Sequence, residues 1–411
     1  MASRAPVTGA VVTGLGIVSP TGLGTREYWS AAVEGRSAIR AITRFDADRY
    51  PARLAGEITG FVAEDHLPGR LIPQTDRMTR LALVAADWAL DDAGIDPSQH
   101  AAFDMGVVTA STSGGFEFGQ NELRKLWSQG GQYVSAYQSF AWFYAVNSGQ
   151  ISIRHGMKGP SGVVVSDHAG GLDALAHTRR LIRKGTPVIV SGGVDAALCP
   201  WGWVAQLASE RLSTSDDPAG AYLPFDASAA GHVPGEGGAI LLVEDAASAR
   251  RRGVPGYGVI AGYGASFDPR PETGREPGLR HAIDTALRDA RVTAEQIDVV
   301  FADAAGLPAL DRVEADALAA VFGPGGVPVT APKTATGRLG SGAAPLDLAG
   351  ALLALRHGVI PPTVHVRPDP AYRVDLVTGA AREVPLRTAL VLARGYGGFN
   401  SAVVVRAAEP I

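Results

Sequence analysis

Apolar runs along this chain alternate between two periods, and the alternation repeats. Val163-Val164-Val165 reads as a short buried strand that ends in the turn Ser166-Asp167-His168-Ala169-Gly170-Gly171. From Leu172 to Ile182 the apolar positions (Leu172, Leu175, Ala176, Leu181) follow helical spacing, and after Lys184-Gly185 a second strand is predicted at Val188-Ile189-Val190. The phrase returns later. Val327-Pro328-Val329 leads into a Gly/Ser-rich turn over Gly337 to Gly342, and a helix is predicted from about Pro345 to Arg356 (Leu346, Leu348, Leu352, Leu353). Gly358 follows, and another extended segment begins. Strand, glycine turn, buried helix and strand, used twice, predicts parallel pairing with right-handed crossovers.

Other segments pair in the same way. Ala10 to Gly16 resembles Val259 to Gly264, Met105 to Thr109 matches Val299 to Ala302, and strands at Ala239 to Val243 and Ala402 to Val405 close the two parts. The chain therefore divides into halves, 1–250 and 251–411, at the charged Gly/Pro-containing stretch Asp245 to Gly256. An insertion at about 110–157 interrupts the first half and is rich in aromatics (Tyr133, Tyr137, Phe140, Trp142, Phe143, Tyr144). Near-continuous apolar strands predict sheets covered on both faces, in a layered, duplicated α/β architecture.

Composition narrows the classes. Of 411 residues 46% are hydrophobic and 19% charged, as in a packed globule and unlike a disordered chain. A dispersed net charge of −4 gives no surface for nucleic acid. Cys199 is the single cysteine, so no internal disulfide and no multi-cysteine metal site is available. Between Leu198 and Pro200 it follows a strand with no helix N-terminus or histidine nearby, the setting of a buried free thiol. The first residues have neither the length of a membrane span nor the form of a signal peptide, which predicts a cytoplasmic protein. Four lysines against abundant Ala, Gly and Arg point to a GC-rich, bacterial genome.

A glycine turn between a strand and a buried helix gathers backbone N–H groups and places a nucleophile at a helix N-terminus. Val12-Thr13-Gly14-Leu15-Gly16, Pro224-Phe225-Asp226, Gly235-Glu236-Gly237-Gly238, Asp311-Arg312-Val313-Glu314, Lys333 with Gly337, and Gly395 to Ser401 occur in that order. With these segments the chain resembles the β-ketoacyl synthases over nearly its whole length. The resemblance implies the thiolase fold, a duplicated five-layered α-β-α-β-α arrangement. It also implies that His168 stands where the catalytic cysteine would be, and that Asp303 and Arg338 replace the two catalytic histidines, while Lys333 and Glu314 are retained. Claisen condensation needs a thiolate to carry the acyl chain and neutral imidazoles to polarise a decarboxylating malonyl thioester. Imidazole is a poor stable acyl carrier, a carboxylate repels malonyl, and a guanidinium is no base.

Within that superfamily, Pro160 to Ser166, Ala169 to Asp173, Pro200-Trp201-Gly202-Trp203-Val204 and Lys333 to Arg338 resemble the chain-length factors of type II aromatic polyketide synthases. Such subunits usually hold glutamine at the position of His168. The resemblance implies a heterodimer with a cysteine-bearing ketosynthase subunit, lining a tunnel in which a polyketide grows. That polyketide hangs from the phosphopantetheine arm of an acyl carrier protein, and the subunit has no cofactor or metal of its own. The family's gate positions fall on Phe116, Gly119 and Leu123, which helical spacing sets on one wall. Glycine and leucine leave room there, predicting a long product, about ten acetate units or more.

Each of these features also has a plainer explanation. His168 is either filler in a sealed pocket or the working group of a malonyl-carrier-protein decarboxylase. Phe116, Gly119 and Leu123 on their own would be core, and the aromatics from Tyr133 to Tyr144 suit a core or the heterodimer interface. Arg179-Arg180-Leu181-Ile182-Arg183-Lys184 reads as a solvated helix end, with docking of an acidic carrier protein second. Gly14-x-Gly16 and Gly395 to Gly398 lack the nucleotide-loop patterns. A third possibility is a purely structural partner that stabilises the ketosynthase without shaping its product.

Overall fold

Gly14 and Gly16 lie inside a strand, and the reason is a helix laid directly on the backbone. A Cβ at Gly14 would sit 2.0 Å from the Ala89 carbonyl oxygen, and one at Gly16 1.8 Å from that of Ala85. Gly262 and Gly264 repeat the arrangement, at 2.3 and 2.0 Å from the carbonyl oxygens of Ala286 and Ala282. The Gly-x-Gly pairs are packing sites of a duplicated fold.

The structure is a computed structural model that describes residues 9–408. The first half supplies β1 (Ala10–Ser19), β2 (Met105–Ala110), β3 (Ser161–Val164), β4 (Val188–Asp195) and β5 (Gly237–Asp245), in spatial order β3-β2-β4-β5-β1. The second supplies β6 (Gly258–Phe267), β7 (Val299–Phe301), β8 (Pro328–Thr330), β9 (Thr388–Arg394) and β10 (Phe399–Ala407), in the same order, β8-β7-β9-β10-β6. β1 and β6 pair antiparallel, Val11 opposite Val259 and Val12 opposite Gly258, which joins the halves. The helices that matter are α1 (Arg77–Asp92), α2 (Phe116–Gln129), α3 (Val146–His155), α4 (Gly170–Arg183), α5 (Pro200–Leu207), α6 (Leu279–Ala290), α7 (Pro308–Phe322) and α8 (Ala343–His357).

Five layers result. α1 and α3 cover the outer face of the first half, and α6, packed with α7, covers that of the second. α4 and α8 lie between the sheets. α8 is buried at every position from Ala343 to Leu355, as an apolar-all-round helix must be. Leu172, Leu175, Leu348 and Leu352 share this central core with Phe301. At the crossing of the two helices a Cβ on Gly171 would lie 2.2 Å from Pro345 Cδ, so only glycine admits the approach.

Three expectations change. The sheets are mixed: β2 pairs parallel with β3 and β4, β7 with β8 and β9, and β8 with the short edge segment Asp375–Leu376, but β1, β5, β6 and β10 pair antiparallel with their neighbours. The extended segment after Gly358 pairs with Arg382–Glu383 in a separate small sheet, and the main sheet takes up the chain again at the edge segment Asp375–Leu376 and then at Thr388. Arg179 is no solvated helix end. It is buried and bonds Asp289 and the Ala261 carbonyl, tying the halves together, while Arg180, Arg183 and Lys184 are exposed. Among the described residues no helix is long and apolar enough to cross a membrane.

Candidate functional site

The turn before α4 and the turn before α8 come together between the sheets. Their shared cavity, about 470 Å³, is lined by Asp167, His168, His232, Asp303, Arg338 and Arg394, and reaches Phe116. Asp167 has a left-handed φ of 51°, the bend that turns the chain from β3 into α4 and presents His168 to the cavity.

His168 Nδ1 lies 2.9 Å from Asp167 Oδ2, and the same oxygen accepts the Tyr396 N–H at 2.8 Å. Burial pushes Asp167 upward, but the His168 ring, the Tyr396 amide and Arg338 outweigh it and hold the carboxyl well below the usual carboxylate range. A backbone N–H beside His168 that could face a developing oxyanion is thus already occupied by a carboxylate.

Asp303 and Arg338 face each other. Arg338 donates to Asp303 Oδ1 at 2.9 Å and to the Asp303 carbonyl at 2.6 Å, and both side chains are buried. Burial opposes both charges, yet each keeps the other ionised: Asp303 is held well below its usual range, with Lys333 and Arg394 adding to the effect, and Arg338 is raised. Lys333 and Glu314 brace this turn. Lys333 Nζ donates to the Ala302 carbonyl at 2.7 Å and lies 2.6 Å from Asp347 Oδ2. Glu314 accepts the amides of Asp303 and Ala304 at 2.7 and 2.8 Å.

His232 was not singled out by sequence, where nothing sets it apart from an ordinary histidine. Its ring stands 6.3 Å from that of His168, and its buried Nδ1 has no partner. Burial, then Arg338 and His168, push it well below the usual histidine range, so it is neutral. The site therefore holds one neutral imidazole, a His–Asp contact and a closed ion pair, with no thiol. Cys199 is elsewhere. Contrary to expectation it occupies the N-cap position of α5, but burial still pushes its thiol up to about 11.

The family models for the N-terminal and C-terminal domains of beta-ketoacyl synthase match residues 9–249 and 257–367. The chain belongs to the β-ketoacyl synthase family. It is 61% identical over 409 residues to the tetracenomycin polyketide synthase ketoacyl synthase beta subunit of Streptomyces glaucescens, covering 99% of each chain. It is 60% identical over 402 residues to the protein named for actinorhodin polyketide beta-ketoacyl synthase 2 of Streptomyces coelicolor, covering 97% of this chain and 99% of the relative. Among solved structures, the ishigamide ketosynthase/chain length factor superposes with a TM-score of 0.90 at 27% identity, covering 98% of this chain and 100% of the other.

In this β-ketoacyl synthase chain α2 carries Phe116, Gly119 and Leu123, as the spacing predicts. Phe116 reaches the cavity, Gly119 is buried under Trp201, and Leu123, two turns beyond Phe116 on the same side of the helix, is 36% exposed in this chain. The space expected at Gly119 is filled: a Cβ there would lie 2.9 Å from Trp201 Cζ3. Trp201 stacks on Phe116 with ring centroids 4.6 Å apart and planes 9° from parallel. Trp201 was missed as a partner of Phe116 because 85 positions separate them. Its one signal was the apolar quartet Trp201-Gly202-Trp203-Val204. Tyr133, Tyr137, Trp142, Phe143 and Tyr144 are all exposed, which rules out a core for them in the isolated chain.

Proposed function

We propose that this chain is the non-nucleophilic subunit of a ketosynthase heterodimer in aromatic polyketide biosynthesis, where it lines the elongation tunnel and sets product length. The observation that carries the proposal is the Asp303–Arg338 pair beside His168: the architecture of a condensing enzyme is kept, while the side chains at its three reactive positions are each bonded to a neighbour within this chain. The tetracenomycin relative, 61% identical, is named a ketoacyl synthase beta subunit, which supports the same role. The partner supplies the reactive cysteine, and an acyl carrier protein presents the growing chain on its phosphopantetheine arm. The exposed aromatics from Tyr133 to Tyr144 form part of the surface that meets the partner. The subunit works in the cytoplasm without a cofactor or metal of its own.

Phe116, backed by Trp201, closes the tunnel. Gly119 and Leu123 add no aromatic bulk of their own, which favours a long product. Decarboxylation by His168 is the weaker reading, because the Tyr396 amide that could stabilise an enolate oxygen is bonded to Asp167.

The test is reconstitution. The chain is co-expressed with a cysteine-bearing ketosynthase subunit and carrier protein, and products from malonyl thioesters are read by mass. A stable heterodimer yielding one dominant long polyketide is expected. Carbon dioxide release from malonyl carrier protein by this subunit alone, abolished in His168→Ala, would establish the decarboxylase in its place.

A further inference from the structure

α5 begins with a backbone group that its own residues do not cap. Cys199 makes no side-chain cap bond and Pro200 has no N–H, so the Trp201 amide is the first free donor of the helix. It is satisfied from another helix: Gln120 Oε1, on α2, accepts the Trp201 N–H at 2.7 Å. Gln120 follows Gly119, against which the Trp201 ring is pressed, and lies one turn after Phe116, on which that ring is stacked. Three successive contacts along α2 therefore fix one tryptophan.

The position of that tryptophan matters because of what lies beneath it. Phe116 lines the cavity of about 470 Å³, whereas Trp201 does not line it and is 37% exposed. The two-ring stack thus stands between the outer aromatic face of the subunit and the space left by the degenerate site. From this geometry we infer that Gln120 is a positioning residue for product length. It latches the Trp201–Phe116 lid shut, and releasing the latch adds the cavity behind it to the volume a growing polyketide can fill. The inference rests on the proposed gate at Phe116.

The experiment compares Gln120→Leu, Gln120→Glu and Phe116→Ala in the reconstituted heterodimer with carrier protein and malonyl thioesters, reading product masses. Glutamate still accepts the Trp201 N–H, so Gln120→Glu keeps the wild-type distribution. Leucine matches glutamine in bulk but cannot accept. Gln120→Leu is expected to raise the fraction of longer products by about fivefold, the shift that loss of one ordinary hydrogen bond gives a two-state lid. Longer products from Phe116→Ala with an unchanged distribution in Gln120→Leu overturn the latch and leave the gate standing. No change in either overturns the gate itself. If Gln120→Leu fails to assemble, Gln120→Met is read in its place. Failure of both, or lower turnover with unchanged masses, assigns Gln120 a merely structural role and overturns the inference.

Discussion

Arg338 grips Asp303 through a side-chain contact of 2.9 Å and a backbone contact of 2.6 Å, in a cavity where each would be unstable alone. The family resemblance assigns these two positions to catalytic histidines. Their replacements are complementary in charge, so no buried charge is left unpaired at the two positions. Paired, the carboxylate no longer repels an incoming anion as Asp303 alone was expected to. Both groups are already committed to each other.

The pair predicts strong non-additivity. Asp303→Ala strands the Arg338 guanidinium and should destabilise the protein by about 3–5 kcal/mol. Asp303→Ala combined with Arg338→Met should cost less than Asp303→Ala alone, since no charge is left behind. Urea unfolding of both single variants and the double variant decides, and a double loss equal to the sum of the two single losses would show that the pair contributes no coupling.

Length control predicts that Gly119→Phe shortens the product of the heterodimer. Gly119 lies against the Trp201 ring beside Phe116, so a phenyl group there adds bulk at the gate while the Gln120 bond still holds the Trp201 backbone in place. A loss of at least one two-carbon unit is expected by mass. A purely structural partner would show the same product at lower yield.

Asp76 predicts a pH dependence. It caps α1 through the Met78 amide at 2.8 Å and holds α2 through the Phe118 amide at 2.7 Å. Burial, with Glu117 adding to it, pushes the carboxyl from 3.8 up to about 7, against the pull of those amides and Arg80. Because the folded-state value is the higher one, the folded protein binds the proton that the unfolded chain has lost. This contribution is fully present below about 4 and disappears as pH rises through about 7. Asp311, raised to about 6, acts in the same direction. Asp76→Asn should remove part of the stability difference between pH 5.5 and pH 7.5. Parallel pH profiles for wild type and variant would sink the assignment.

Cys199 should be chemically quiet. With its thiol raised to about 11 and the side chain buried, alkylation of the native protein at pH 7.5 should be slower by roughly 100-fold or more than after denaturation. Cys199→Ser should leave product length unchanged. Rapid native labelling, followed by peptide mass mapping, would contradict both burial and the raised thiol.

Much of the molecule was determined by local sequence. The change from period two to period 3.6 after Val165, and again after Val329, marks the two strand–turn–helix units that became β3 with α4 and β8 with α8. The resemblance assigns His168, Asp303 and Arg338 to the reactive positions from motif spacing alone, and the structure brings the three to one cavity. What periodicity could not carry was decided by tertiary structure. Strand direction in the centre of each sheet is set by which strands become neighbours, so antiparallel β1, β5, β6 and β10 look like any buried run. Arg179 reads as part of a basic helix end until Asp289, 110 positions away, is packed beside it. Gly119 likewise looks like free space until Trp201 arrives from another helix. A residue's type shows what it is able to do; whether its volume and charge are still available depends on partners brought in by the fold.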